Sequence, residues 1–146
     1  MCSSDLIELH GNATRARCLT CETAYDRERV QEWLDAGVAI PMCDPPCGGI
    51  IKPRTVMFGE AMPRVELEEA ERRARASDLF VVVGSSLVVY PAAYMPLHAK
   101  HAGASLAIVN LTDTPHDGQA DLVIRGSAAA VLATVTARLE PRPAAH

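Results

Sequence analysis

Four cysteines in two close pairs are the residues of this chain best placed to do chemistry. The first pair is Cys18-Leu19-Thr20-Cys21; the second is Cys43-Asp44-Pro45-Pro46-Cys47, followed by Gly48-Gly49. A thiolate is a soft ligand, and two on one tight turn can aim at the same ion, so two such turns supply the corners of a tetrahedral zinc site. Glycines after Cys47 let backbone amides approach the sulfurs. Four thiolates fill every position, leaving none for water, so the metal is expected to be structural. The spacer between the pairs, Glu22 to Met42, is 21 residues, somewhat longer than in a usual zinc ribbon, and the second turn is wider than the first. A dithiol redox pair at Cys18 and Cys21 is the competing use, and the second pair argues against it.

Other candidates stand at the ends of apolar runs. Gly84-Ser85-Ser86 follows Leu79-Phe80-Val81-Val82-Val83, and Asn110 ends Ser105 to Leu111. In open α/β sheets the carboxyl edge of the strands binds ligands, and small hydroxyl groups there can bond phosphate or ribose oxygens. The plainer reading is a strand-to-helix turn with Ser as a cap and Asn turning the chain. His10 sits beside Gly11 in a loop; an imidazole there can be a general base or an ordinary surface residue. His98 and His101 read as surface residues, and Asp113, Thr114, Pro115 and Asp117 as a solvated turn. Glu60, Asp78 and the Glu66 to Glu71 run read as solvated charge.

The elements that must hold these groups follow from periodicity. Glu8 to Asn12 reads as a loop and Arg15 to Leu19 as a short strand entering the first cysteine turn. Asp26 to Asp35 reads as a helix with Val30, Trp33 and Leu34 on one face, ended by Gly37. Pro41 to Pro46 is loop, and Lys52 to Phe58 is extended because Pro53 disfavours helix before it. Pro63 can start a helix, and Val65 to Ala76 is rich in Glu, Arg and Ala. Leu79 to Val83 reads as a strand buried on both faces, as in a parallel sheet. A helix over Tyr94 to His101, strands over Ser105 to Leu111 and Asp121 to Arg125, and a helix over Ala128 to Leu139 with Val131, Leu132, Val135 and Leu139 inward complete the series. Pro141 to His146 reads as a disordered tail. Strand, helix, strand, strand, helix is half of a doubly wound sheet.

The 146 residues suffice for one domain with a core, and a hydrophobic share of 49% is ordinary for an α/β protein. A formal net charge of -4 disfavours non-specific nucleic-acid binding. No apolar run reaches the length of a membrane span, and no secretory leader is legible, so the expected partners include neither membrane nor nucleic acid. Paired cysteines fit a reduced compartment, with cytoplasm the default. Met1 to Leu6 has no strand or cap leading in and reads as a cut or non-native start, so Cys2 receives no role.

In order along the chain, Glu8-Leu9-His10-Gly11, the two Cys pairs, Cys47-Gly48-Gly49 with Lys52-Pro53, Val56-Met57-Phe58-Gly59-Glu60, Gly84-Ser85-Ser86-Leu87-Val88-Val89-Tyr90-Pro91-Ala92-Ala93 and Asn110 resemble the sirtuins, the Sir2 family of NAD-dependent protein-lysine deacylases. The resemblance implies the C-terminal half of a Rossmann-like parallel sheet with an inserted zinc-ribbon module. Residues 1–14 would be a remnant of the active-site segment, 15–53 the zinc module and 54–146 the NAD-binding half. It implies His10 as the general base toward a ribose hydroxyl, and Cys18, Cys21, Cys43 and Cys47 as zinc ligands. Gly84, Ser85, Ser86, Asn110, Leu111, Thr112 and Ala128 would contact NAD, with Thr112 standing where the family has an acid. Val56, Phe58, Gly59 and Glu60 on one side, and Leu87, Val88 and Val89 on the other, would pair with an extended acyl-lysine peptide between the two parts. The reaction implied is transfer of the acyl (acetyl) group from protein lysine to ADP-ribose with release of nicotinamide. The family's glycine-rich phosphate loop, cofactor loop and Gln-Asn-x-Asp segment do not occur before His10. The parent protein is therefore expected to be an enzyme and this chain alone to bind NAD poorly and turn over negligibly. The alternative is a zinc-ribbon peptide-binding module without chemistry. A nucleotide domain of the thiamine-diphosphate type is a further reading, and it lacks the cysteine quartet.

Overall fold

The computed structural model describes residues 5–139; Cys2 and the tail over Pro141 to His146 lie outside them. The chain divides into two compact units between Glu66 and Leu67.

The first unit is built on an antiparallel sheet of three strands, β1 (Gly11–Cys18), β2 (Ala24–Asp26) and β3 (Ile51–Thr55), in the order β2-β1-β3. Helix α1 (Arg27–Asp35) follows β2 directly. It stops where Gly37 N–H bonds the Leu34 carbonyl and Val38 N–H reaches back to Trp33, the paired bonds of a Schellman ending. Val30 and Trp33 of α1 pack on a small core of Ala16, Cys18, Tyr25, Cys43 and Ile51, while Leu34 stays exposed. Two of those core side chains are cysteines of the quartet, so apolar burial alone gives this unit little to fold on.

The strand over Arg15 to Leu19 is longer than expected. It begins at Gly11, so the loop expected over Glu8 to Asn12 ends at His10. Pairing with β3 extends the ladder: Gly11 lies opposite Thr55, with a register shift before Ala16. β3 itself stops at Thr55, and Met57 to Glu60 is a turn rather than the extended chain expected through Phe58.

The second unit carries all but the first residues of α2 (Arg64–Arg75), then β4 (Leu79–Val83), a 3-10 turn over Ala92–Tyr94, α3 (Met95–His101), β5 (Ser105–Asn110), a further 3-10 turn over Asp117–Gln119, β6 (Leu122–Arg125) and α4 (Ala128–Leu139). The strands form a parallel sheet in the order β4-β5-β6. Its core joins Val82, Leu87, Ala93, Leu106 and Ile108. Ala74 of α2 meets Ala99 of α3 and Ala104 in a tight contact that only small side chains allow.

Three burial expectations fail here. The apolar run of β4 is not covered on both faces: Leu79, Val81 and Val83 are exposed and only Val82 is buried. β4 is a sheet edge, paired with β5 alone among the described residues. An apolar run records what a strand is suited to pack against, and pairing decides what it meets. The inward face expected for α4 is likewise open. No residue of that helix is buried, Leu132, Val135 and Leu139 are exposed, and Val131 is half-buried. The turn read as solvated over Asp113 to Asp117 is also partly interior: Thr114 and His116 are buried, because Asp117 accepts from the Thr114 amide at 3.0 Å and hydroxyl at 2.7 Å and folds the loop inward.

Candidate functional site

The four cysteines converge. All four Sγ atoms lie within 4.8 Å of one another, with Cys18 to Cys47 at 3.7 Å and Cys21 to Cys43 at 3.5 Å. Zinc–sulfur bonds of about 2.3 Å in a tetrahedron place the sulfurs about 3.8 Å apart, so the shell suits that ion and is too wide for disulfides. Cys18 is the last residue of β1 and Cys21 lies in the turn after it; Cys43 and Cys47 come from the loop before β3. Leu19 N–H to the Ile50 carbonyl at 2.9 Å joins the two arms, and Cys43 N–H to the Gly49 carbonyl at 2.7 Å closes the second arm on itself.

Gly49 is the residue on which that closure depends. A Cβ there would stand 2.6 Å from Cys18 Sγ and 2.5 Å from Thr20 Oγ1. No side chain fits without moving a ligand.

Three of the sulfurs also have a polar partner outside the quartet. Thr20 N–H points to Cys18 Sγ at 3.3 Å, Thr23 Oγ1 lies 3.1 Å from Cys21 Sγ, and the Tyr25 hydroxyl donates to Cys43 Sγ at 3.1 Å. Cys47 Sγ has Cys18 Sγ as its close partner in the shell. The ionisation preferences show what a cation must resolve. The Thr23 hydroxyl, then its amide, pull the Cys21 thiol down to about 6. The amides of Cys21 and Thr20 lower Cys18. The Tyr25 hydroxyl favours the Cys43 thiolate, yet burial and the sulfurs of Cys21 and Cys18 outweigh it and raise that thiol. Gly49 likewise favours the Cys47 thiolate, but Cys21, burial, Cys18 and Cys43 push it up to about 12. Four negative sulfurs at this spacing repel one another, and a divalent cation at their centre removes the conflict. Thr23 and Tyr25 were not singled out from sequence; the signal available was a polar residue two and four places after Cys21.

His10 is exposed in the turn that opens β1, and its carbonyl accepts the Val56 amide at 3.0 Å. Gly11 follows with φ +67°, and a Cβ there would lie 2.0 Å from the Arg54 carbonyl oxygen. That close approach brings His10 beside Val56, at the head of the segment expected to meet a peptide.

The turn after Val56 presents Phe58 almost wholly to solvent, 96% exposed. Glu60 is not merely solvated. It accepts from Lys52 Nζ at 2.6 Å and from the Met57 amide at 3.0 Å, and Lys52 leads the causes that lower its carboxyl below the usual range. The ion pair ties the turn back to β3.

In the second unit, Gly84, Asn110 and Ala128 gather at the carboxyl end of the parallel sheet. Gly84 N–H bonds the Val109 carbonyl at 2.9 Å, Gly126 N–H bonds the Asn110 carbonyl at 3.2 Å, and Ala128 Cβ would be 3.9 Å from a Cβ at Gly84. Gly84, Ser85 and Ser86 are exposed, and Ser85 Oγ accepts from the Leu87 amide at 3.4 Å. Asn110 is buried, and its side-chain amide donates to the Thr112 carbonyl at 3.0 Å and lies 3.4 Å from Thr112 Oγ1. Leu111 and Thr112 are exposed. Leu87 is buried in the core, so only its backbone is free for a ligand, whereas Val88 and Val89 are exposed.

Comparison with known proteins supplies the family. The model of the Sir2 family matches residues 2–91. The chain belongs to the Sir2 family. It is similar to NAD-dependent protein deacetylase 1 of Pyrobaculum aerophilum, 43% identical over 137 residues covering 94% of this chain and 53% of that protein. It is also similar to the NAD-dependent protein deacetylase of Sulfolobus acidocaldarius, 47% identical over 123 residues, 84% of this chain and 47% of that one. Among solved structures, a Sir2 with a p53 peptide and NAD+ superposes with a TM-score of 0.85 at 40% identity, over 90% of this chain and 54% of that one. A Sir2 bound to acetylated peptide gives 0.86 at 39%, over 90% and 55%. The chain thus spans about half the length of the Sir2 relatives it matches. The α/β fold, the parallel sheet and the cysteine shell agree with this Sir2 membership. Among the described residues no helix is long and apolar enough to cross a membrane.

Proposed function

We propose that this chain is the zinc-bearing part of an NAD-dependent protein-lysine deacylase. Its substrates are acylated, foremost acetylated, lysines in proteins, and its products are nicotinamide, the free lysine and O-acyl-ADP-ribose. The observation that carries this reading is the match to the Sir2 family, whose relatives at 43% and 47% identity are named NAD-dependent protein deacetylases. The cysteine shell within that matched stretch supports it.

In this reading Cys18, Cys21, Cys43 and Cys47 hold a zinc ion that supplies folding energy and no nucleophile, because four thiolates leave no open coordination position. His10 takes the proton of an NAD ribose hydroxyl as general base. Gly84, Ser85, Ser86, Asn110, Leu111, Thr112 and Ala128 hold the nucleoside portions. Backbone groups of Val56, Phe58, Gly59 and Glu60, and of Leu87, Val88 and Val89, bond the substrate main chain as an added strand. The boundaries proposed are 1–14 for the active-site segment, 15–53 for the zinc module and 54–146 for the NAD-binding part. A reducing compartment, the cytoplasm, suits four free thiols.

This sequence contains no Gly-x-Gly-x-x-Gly turn to cradle a pyrophosphate. The chain alone is therefore proposed to bind NAD weakly and to release little nicotinamide. The test joins the part of the Pyrobaculum relative that this chain does not match to residues 7–146. The expected result is nicotinamide release that depends on acetylated peptide, abolished by His10→Ala. A chimera that binds NAD and peptide yet leaves NAD intact, or that turns over equally with His10→Ala, refutes the enzymatic reading and favours a peptide-binding module.

A further inference from the structure

Tyr25 lies outside the ligand set but touches it. It sits on β2 opposite Ala16, and its ring is buried, packed edge-on against Trp33 with centroids 5.8 Å apart. The Arg29 guanidinium lies over both rings, 5.6 Å from the Tyr25 centroid and 5.1 Å from that of Trp33. The ring is thus held on two sides, and its hydroxyl is aimed. It donates to Cys43 Sγ at 3.1 Å and accepts the Asp44 amide at 3.3 Å. Asp44 Oδ2 in turn lies 3.5 Å from both the Tyr25 hydroxyl and Arg29 Nη2.

Consider what this does for a sulfur. The Asp44 amide belongs to the residue after Cys43, so the hydroxyl grips the ligand's sulfur and the following backbone at once. Cys18 and Cys21 meet a backbone amide and an exposed threonine hydroxyl from their own turn. Cys43 alone takes its donor from a buried ring outside both cysteine turns, on β2, and Cys43 is itself buried. Carbon-lined burial makes a thiolate costly, and a donor fixed by packing offsets that cost without a reorganisation of its own. Partners of this kind, one shell outside a metal, orient ligands and tune affinity.

We propose that Tyr25 is a positioning residue of the metal centre, whose hydroxyl sets the orientation and electron density of the Cys43 thiolate and thereby slows loss of zinc. This rests on the reading of the quartet as a zinc site. It assigns β2 and α1 a task beyond core packing: they carry a hydrogen-bond donor to the metal from outside either cysteine turn.

The test uses the whole chain, loaded with zinc or cobalt(II), in three forms: wild type, Tyr25→Phe and Trp33→Phe. Zinc transfer to a chromophoric chelator gives affinity and release rate, and the cobalt form gives the sulfur-to-metal charge-transfer bands. Tyr25→Phe keeps the ring and its packing. It is expected to weaken zinc binding about 10-fold or more and to move the charge-transfer bands to lower energy, since a thiolate without its donor is more electron-rich. Trp33→Phe is expected to lower thermal stability and leave those bands in place. Tyr25→Phe with wild-type bands and zinc release within about twofold of wild type overturns the assignment. So does an equal spectral shift in Trp33→Phe, which would make the effect one of packing. A wild-type chain that takes up no metal overturns the zinc reading itself, and is told apart from the other failures because the metal content of wild type is measured first.

Discussion

Replacing Gly49 with alanine puts the metal centre to its hardest test. The added Cβ would stand 2.6 Å from Cys18 Sγ and 2.5 Å and 2.8 Å from Thr20 Oγ1 and Cβ. Ordinary contacts need about 3.5 Å or more, so something must yield by about 1 Å. Cys18 is wholly buried, and its neighbour Thr20 supplies a backbone donor to that same sulfur. The strain therefore falls on the ligand and not on a free side-chain tip. Overpacking of this kind costs about 1–3 kcal/mol. In a unit whose core includes two metal ligands, folding and metal binding are one equilibrium, so the whole cost should reach the zinc affinity. That is a weakening of about 5- to 150-fold at 1.4 kcal/mol per decade. Competition with a chromophoric chelator, with zinc content measured by elemental analysis, reads it directly. Zinc binding by Gly49→Ala within about twofold of wild type would refute the geometry of the two arms.

Stripping the metal with a strong chelator should unfold the first unit, and Trp33 reports it. Trp33 is the chain's one tryptophan and packs on that unit's core, so its emission should move to longer wavelength and return when zinc is restored; unchanged emission after verified metal loss would count against metal-dependent folding. In the second unit, Arg72 and then Arg73 hold the Glu69 carboxyl down to about 2, against an ordinary value of 4.5. A depressed carboxyl stabilises the folded chain fully above about pH 4.5 and loses that contribution as pH falls toward 2. Thermal unfolding of Glu69→Gln should therefore be flatter with pH across this window than that of wild type, by a small amount because the pair is solvent-screened; parallel profiles would refute it.

How much of this was legible beforehand depended on whether a feature is local. The cysteine quartet is local: two short turns, a soft ligand at each end, glycines where the arms close. The order and type of the strands and helices is nearly so, because hydrophobic period and turn residues act over a few positions. The short strand was missed at its start because pairing with Thr55 draws Gly11 to Asn12 into the ladder, a contact with residues more than forty places away. Glu60 looked like any surface acid, and only the fold of the Met57 turn brings it onto Lys52.

By itself the sequence determined the ligand set, the α/β order and the family resemblance, since each is a matter of residue type at short or fixed spacing. Tertiary structure decided what covers what: β4 an edge, α4 with no residue fully buried, Thr114 and His116 inside, the Tyr25 hydroxyl on Cys43. Burial and hydrogen-bond partnership are properties of pairs of distant segments, and an apolar run or a tyrosine carries no mark of which segment it will meet.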